Sequence, residues 1–400
     1  MATILEKNLT DGTLHDTFDA TTRSPARFTA FSTLCGVKWG WAVRGLEDQK
    51  PYGLDAATRQ PPRAGDAVLV EVEKIGHHTR LMTAQHGRLR LYPGDRLVTV
   101  LGNRYATDAF EATLGDVETL QMLTDAGMVG TVRSKHQKMG VPTGVRFVGY
   151  LTDAQGHRVN LKTCQFHPQT QTGVPKNTIV VVGSGMNSGK TTTAARLVRS
   201  LLGRGVRVSA CKLTGSVSYR DLSELRSTGA HDVRDFSCYG FPSTYLAAKH
   251  ELVGLFHTMV SDANRCDPDV VVMEIADGML QRETAILLEE TGIRQSLMGV
   301  LLAATCAPSA LFSVGHLERL GHELIGVSGL ITSSPLFVDE FTRHCQAAVA
   351  SSAGNGEPLA DLVLRHRGLA RRPLGGLKRR LGARRLPADS PPNARRQRAA

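Results

Sequence analysis

Thr178-Ile179-Val180-Val181-Val182-Gly183-Ser184-Gly185-Met186-Asn187-Ser188-Gly189-Lys190-Thr191-Thr192-Thr193 is the stretch on which the reading of this chain turns. Ile179 to Val182 are consecutive β-branched residues, the composition of a strand buried on both faces. Glycines at 183, 185 and 189 follow, and beyond them Ala194, Leu197, Val198, Leu201 and Leu202 recur on one face of a helix. A buried strand, a glycine-rich turn and a helix, in that order, make a phosphate-binding loop. Each part has a chemical task. Glycine lets the backbone curl until several N–H groups converge on phosphate oxygens. The helix that opens near Gly189 adds the positive end of its dipole. Lys190 supplies a mobile positive charge, and the Thr191 hydroxyl is an oxygen ligand for Mg²⁺. The candidate phosphate cradle is Ser184, Gly185, Met186, Asn187, Ser188, Gly189, Lys190, Thr191 and Thr192. In the G-x-x-x-x-G-K-[ST] pattern the first glycine falls at 184, where this chain has a serine between two glycines.

Downstream of the loop, apolar runs at 206–213, 270–275, 298–304 and 324–331 suit buried parallel strands. Helical stretches are expected at 189–202, 245–264, 281–290, 309–320 and 337–350. The alternation predicts an α/β, doubly wound, mostly parallel sheet, with ligands at the carboxyl ends of its strands. Two of those ends carry chemistry. The run 270–275 delivers Glu274 and then Asp277, carboxylates placed to meet the Mg²⁺ of a phosphate-loop site. The run 206–213 delivers Lys212, a cation able to neutralise transferred phosphate or hold an anionic substrate. Candidate catalytic residues are therefore Lys190, Lys212 and Glu274, and candidate metal ligands are Thr191, Glu274 and Asp277. Ser243 and Thr244 precede the helix expected at 245, as a helix cap or as part of an acceptor pocket.

Upstream, residues 65–164 alternate in the manner of strands at 67–72, 88–92, 96–101 and 145–151, with turn signals such as Pro93-Gly94-Asp95 between them. A small β-barrel or sandwich with a short helix at 117–125 is expected. Trp39 and Trp41 flank Gly40 as core or edge packing. The expected organisation is a β-rich domain (1–166), a polar linker (167–177), the phosphate-loop domain (178–364) and a basic disordered tail (365–400).

Composition narrows the partners. The net charge is +11, but residues 365–400 hold twelve Lys and Arg against one acid, Asp389, so the tail carries all of it and the body is neutral. That removes the case for nucleic acid as the main ligand, although a polybasic tail can contact an anionic partner. No stretch is long and apolar enough to span a bilayer, and Met1–Thr10 has no apolar signal core. Seven scattered cysteines without a Cys-x-x-Cys pair fit a cytoplasmic protein with reduced thiols.

Residues 178–335 resemble the dethiobiotin-synthetase-related phosphate-loop proteins, which include cobyrinate amide-ligase domains and the nucleotide-binding partner of molybdopterin-guanine dinucleotide synthesis. The resemblance rests on the Ser184–Thr191 loop, on Cys211-Lys212-Leu213-Thr214-Gly215, and on Met273-Glu274 with Gly278. It implies ATP and Mg²⁺ as cofactors, a carboxylate or carbamate to be phosphorylated, and Lys190, Thr191, Lys212 and Glu274 around them. The chain is also similar to phosphate-loop proteins related to D-glutamate N-acetyltransferases. Two departures matter. Met186 stands where partitioning ATPases carry an extra lysine, which disfavours a partitioning-type dimeric switch, though a homodimer stays open. Glu274-Ile275-Ala276-Asp277-Gly278 replaces the Glu-Gly-Ala-Gly-Gly signature of dethiobiotin synthetase.

The function expected is an ATP-dependent ligase-like enzyme acting on a small-molecule carboxylate or amine substrate. A nucleotide-switched accessory protein and an N-acyltransferase remain the alternatives. The absence of an Asn-Lys-x-Asp guanine reader near Ile331–Pro335 favours ATP over GTP.

Overall fold

The computed structural model describes residues 36–46, 51–56, 60–168 and 175–366. Most of the expected linker and the basic tail beyond His366 lie outside the described residues. Their N-terminal part is β1 (Lys38–Trp39), β2 (Gly53–Asp55), β3 (Ala67–Lys74), β4 (Arg80–Met82), β5 (Arg88–Arg90), β6 (Arg96–Leu101), β7 (Phe110–Thr113), β8 (Leu120–Thr124), β9 (Met128–Lys135), β10 (Gly144–Thr152) and α1 (Leu161–Gln165). Strand order β1-β6-β3-β10-β8-β9-β7, with a further β6–β9 pairing, closes β6, β3, β10, β8 and β9 into a ring. Period-two alternation in β3 sends Val68, Val70 and Val72 to Leu97, Leu101, Met122, Val129 and Tyr150. Its other face sends Ala67 and Leu69 to Val98, Val100 and Leu123.

The helix expected at 117–125 is strand β8, paired with β9 and β10. A short apolar run does not distinguish helix from strand by period, and pairing decides it. Gly127, at φ 89°, ends the tight turn from β8 into β9.

The C-terminal part follows as β11 (Thr178–Gly183), α2 (Lys190–Gly203), β12 (Val208–Lys212), α3 (Tyr219–Ser227), β13 (Asp232–Asp235), α4 (Lys249–Asn264), β14 (Val270–Glu274), α5 (Arg282–Glu289), α6 (Thr291–Ser296), β15 (Leu297–Ala303), α7 (Ala307–Arg319), β16 (Leu324–Ser328), α8 (Pro335–Thr342) and α9 (Glu357–His366). The strand order is β13-β12-β14-β11-β15-β16, and every pairing is parallel. This is the α/β fold expected from the sequence. Alternation in β11 explains the double winding. Val180 and Val182 pack with Leu252, Phe256, Leu302 and Phe341 on one face. Ile179 and Val181 pack with Leu197, Leu201, Leu359 and Val363 on the other. Each such side chain contributes about 1.5–3 kcal/mol when fully buried. Because β11 lies between β14 and β15, the chain reverses its winding there, and a crevice opens at the carboxyl end of β11.

The helix expected at 337–350 stops at Thr342. Residues beyond it run back to the edge strand, where Val327 N donates to Ala348 O (2.8 Å) and Ala350 N to Val327 O (2.9 Å). The unpaired backbone of β16 outcompetes helix continuation. No helix among the described residues is long and apolar enough to cross a membrane.

The two parts share a core. Val217 and Leu222 pack in the same cluster as Trp41 and Leu69. The Trp41 and Tyr219 rings meet edge-on at 5.0 Å, and Arg44 Nη2 donates to Ser237 Oγ at 3.0 Å. Both tryptophans are buried.

Candidate functional site

The loop after β11 folds back on itself. Lys190 Nζ donates to the Gly185 carbonyl at 2.9 Å, so its ammonium lies inside the loop. That fold leaves no room at Gly183, where a Cβ would stand 2.4 Å from Ser188 Oγ and 2.7 Å from Lys190 Cδ. Gly189 caps α2 in the left-handed region, φ 95°. Ser184, where the pattern has glycine, does not need that freedom: its φ is not positive. Its hydroxyl accepts from Thr305 N at 3.3 Å, tying the loop to the end of β15. Ser188 is buried, with its carbonyl accepting from Leu330 N (3.1 Å). Thr192, in the first turn of α2, is exposed and lines the cleft.

The N-terminal part clamps the loop's outer rim. Asn187 adopts φ 61°, a conformation asparagine tolerates, and its Nδ2 donates to Asp108 Oδ2 at 2.8 Å. Thr107 Oγ1 donates to Met186 Sδ at 3.4 Å, and Met186 packs with Ala106, Ala109 and Phe110. Met186 therefore contacts the barrel of its own chain.

Behind the loop, α2, β12 and β14 bring three candidates together. Thr191 Oγ1 donates to Glu274 Oε1 at 3.0 Å. Lys212 Nζ lies 3.3 Å from the same oxygen and 2.7 Å from Asp221 Oδ2. Register makes this possible, since Lys212 and Glu274 are direct neighbours across β12 and β14. Burial works against charge on Lys212, but the carboxylates of Glu274 and Asp221 outweigh it and raise its pKa. Lys190 has no such close carboxylate among the described residues. Burial lowers its pKa, and the more distant Glu274 and Asp277 offset only part of that. Asp277 stands apart, hydrogen-bonded to neither Thr191 nor Glu274. Burial raises its carboxyl pKa, against the opposing charges of Lys190 and Lys212. Gly278 sits so close to the loop that a Cβ there would stand 2.7 Å from Gly185 Cα.

Glu274 Oε2 is buried and has no hydrogen-bond partner among the described residues. A vacant carboxylate oxygen beside a hydroxyl is the hard-oxygen donor set that suits Mg²⁺, so the residues fit that ion.

These groups line one cleft of about 770 Å³ between the two parts. On the loop side stand Lys190, Thr191, Lys212, Glu274 and Asp277. On the barrel side stand His78, Arg80, Arg88, Arg104 and Tyr105. Ser243 and Thr244 cap no helix, because α4 begins only at Lys249. Thr244 Oγ1 accepts from Gly215 N at 3.0 Å, and both residues line a small recess beside Asp277.

Sequence reading missed Asp221 and the barrel's arginines. A signal for Asp221 existed: Ser218 is the N-cap of α3 and accepts from Asp221 N, a spacing that marks a helix start. Nothing local in the sequence points Arg104 at a loop more than 80 positions away.

No protein-family model matches this chain, and no curated protein matches it. Among solved structures, the kinase domain of Escherichia coli tyrosine kinase ETK is 18% identical at a TM-score of 0.30, over 38% of this chain and 66% of that one. The signal recognition particle receptor FtsY of Elizabethkingia anophelis is 18% identical at 0.33, over 51% and 69%. Chloroplast FtsY of Physcomitrella patens is 17% identical at 0.31, over 51% and 70%. The chain thus spans about two thirds of the length of each. At this level of likeness they assign it no ligand and no reaction.

Proposed function

We propose that this chain is a Mg-ATP-dependent enzyme that phosphorylates a small carboxylate or carbamate, with the acyl phosphate then open to attack by an amine. The observation that carries it is buried Lys212, ion-paired to Glu274 in the same cleft as the phosphate loop. A site that only held nucleotide would need the loop and Lys190. A second buried ammonium at the next strand end adds positive charge where phosphoryl transfer develops negative charge.

The roles follow from placement. Backbone N–H groups of residues 185–192 and the α2 N-terminus hold the phosphates, while the Ser184 N–H stays in the sheet, donating to Ala303 O at 2.9 Å. Lys190 exchanges its bond to Gly185 O for a phosphate oxygen, which also relieves the cost of its burial. Thr191 and Glu274 hold Mg²⁺, with Asp277 as a third candidate oxygen; when bound, the ion neutralises charge on the phosphates. Lys212, fixed by Asp221, orients the acceptor carboxylate. An acceptor oxygen forms its bond to the γ-phosphorus as the bond to the bridging oxygen breaks, and ADP leaves with that electron pair. The barrel, built from described strands within 38–152, lines one wall of the cleft and holds the acceptor; residues 178–364 bind the nucleotide.

Single-turnover assays with labelled ATP and a panel of carboxylates and amines, with hydroxylamine to trap acyl phosphate, test this. Acceptor-dependent ADP and hydroxamate are expected. ATP that binds and is never turned over with any acceptor would sink the proposal.

A further inference from the structure

The cleft wall opposite the phosphate loop is basic in a way the nucleotide site does not explain. Arg104 leaves the barrel between β6 and β7, its backbone pinned by two hydrogen bonds with Ala112 (2.8 and 2.9 Å). Its guanidinium lies 5.8 Å from the Phe110 ring centroid, and Nη1 bonds the Leu123 carbonyl. Its Nε is buried and has no partner among the described residues. Asp108, Asp277 and Asp125 act on its charge only at longer range, and it forms no ion pair among the described residues.

A second observation comes from the β4–β5 ribbon. Arg80 stands directly opposite Arg90 in the ladder, and like charges in that register destabilise a strand pair. Arg88, on the same face, is answered by Asp125 at 2.7 Å. Arg80 has no carboxylate partner among the described residues. Arg220 of α3 lines the cleft from the other side, also without one. Exposed or half-buried arginines that converge on one cleft without counter-ions present forks suited to planar anionic groups. A cleft of about 770 Å³ lies in the upper range for ligand pockets, with space for a second small molecule beside a nucleotide.

We propose that Arg104, with Arg80 and Arg220 at the rim, binds an anionic group of the acceptor, so that the acceptor is a small molecule with two anionic groups. One carboxylate reaches Lys212, and a second anionic group, carboxylate or phosphate, is held by the arginines. This rests on the phosphoryl-transfer reading for the first carboxylate only; the arginine site stands on its own geometry.

The test is calorimetric titration of the full chain with glutarate, 2-phosphoglycolate and propionate, and separately with Mg²⁺ and a non-hydrolysable ATP analogue. Glutarate or 2-phosphoglycolate is expected to bind tenfold or more tightly than propionate, and the tighter of the two identifies the second group. Arg80→Ala and Arg104→Ala should each reduce that advantage at least fivefold, with analogue affinity within twofold of the parent. Arg104→Lys replaces Arg104→Ala if the latter fails to fold, and should lose part of the advantage. Equal affinity for these two ligands and propionate, or an advantage that survives Arg80→Ala and the Arg104 variant, overturns the proposal. An arginine-dependent anion site in a chain that does not bind the analogue would instead overturn the phosphoryl-transfer reading and leave this one standing.

Discussion

Thr191 Oγ1 donates a 3.0 Å hydrogen bond to Glu274 Oε1, and that oxygen also lies 3.3 Å from Lys212 Nζ. The helix after the phosphate loop and two neighbouring strand ends therefore meet at one carboxylate. Its second oxygen is buried and has no partner among the described residues. Such an atom is costly unless something occupies it in the working state.

Glu274→Gln keeps the shape and removes the charge. Turnover is expected to fall at least ~100-fold, and the dependence of ATP affinity on Mg²⁺ to disappear. Affinity measured in chelator should change little. Lys212 keeps Asp221 as a partner, so the stability cost stays at about 1–3 kcal/mol. Mg²⁺ titrations of ATP binding, alongside urea unfolding, check both parts; a variant with the parent's Mg²⁺ dependence would remove Glu274 from the metal site.

Lys190 invites the opposite stability result. Its ammonium is buried against a backbone carbonyl, with no described carboxylate within ion-pair reach, and burial lowers its pKa. Lys190→Met should abolish measurable ATP binding while raising stability of the nucleotide-free protein, on the order of 1 kcal/mol. Thermal unfolding with and without ATP checks it: a higher midpoint than the parent without ATP, and no further shift when ATP is added. A destabilised variant would mean that the ammonium is better solvated than its burial implies.

The fold was legible because its signals are local. Ile179–Val182, the glycines and the α2 face each declare themselves within a few residues. Thr191, Lys212 and Glu274 were legible for the same reason: each sits at the end of an element whose type the sequence shows, and parallel register then brings the strand ends together. What escaped depends on distant pairing. β8 became a strand because β9 and β10 flank it, and residues 348–350 left the helical pattern to pair with Val327. Arg104 joins the cleft only through docking of the barrel on α3, which no period in the sequence records.

Gly278 and Gly185 are in backbone contact. A Cβ on Gly278 would stand 2.7 Å from Gly185 Cα, a distance that side-chain adjustment cannot relieve. Gly278→Ala should push the phosphate loop outward, weaken ATP binding tenfold or more, and destabilise by about 1–3 kcal/mol. Gly144→Ala is the control, with nothing within 4 Å of the added methyl and no positive φ. Affinity and unfolding measured on both variants separate a local clash from the general effect of losing a glycine. Parent-like ATP affinity in Gly278→Ala would show that the loop does not need this contact.

His78 makes the acid side of the stability profile readable. Its ring lies 6.0 Å from Phe110, beside His77 and Arg104. Burial first, then the charges of Arg104 and His77, lower its pKa from 6.5 to about 3, against a backbone hydrogen bond with Met122 that acts the other way. In the unfolded chain the imidazole titrates near its ordinary value. Between pH 6.5 and 3 the unfolded state thus binds a proton that the native state refuses, so stability falls as pH falls, by up to about 1.4 kcal/mol per unit. The slope fades across pH 6.5 and is nearly gone above about pH 7.5, where the unfolded imidazole is neutral too. Burial also lowers the pKa of His257 and His322, so the parent's curve carries their contributions as well. His78→Asn removes only this one. Between pH 6.5 and 4.5 the parent should lose about 2–3 kcal/mol more than the variant in urea unfolding, and parallel curves would mean that the folded protein protonates His78 freely.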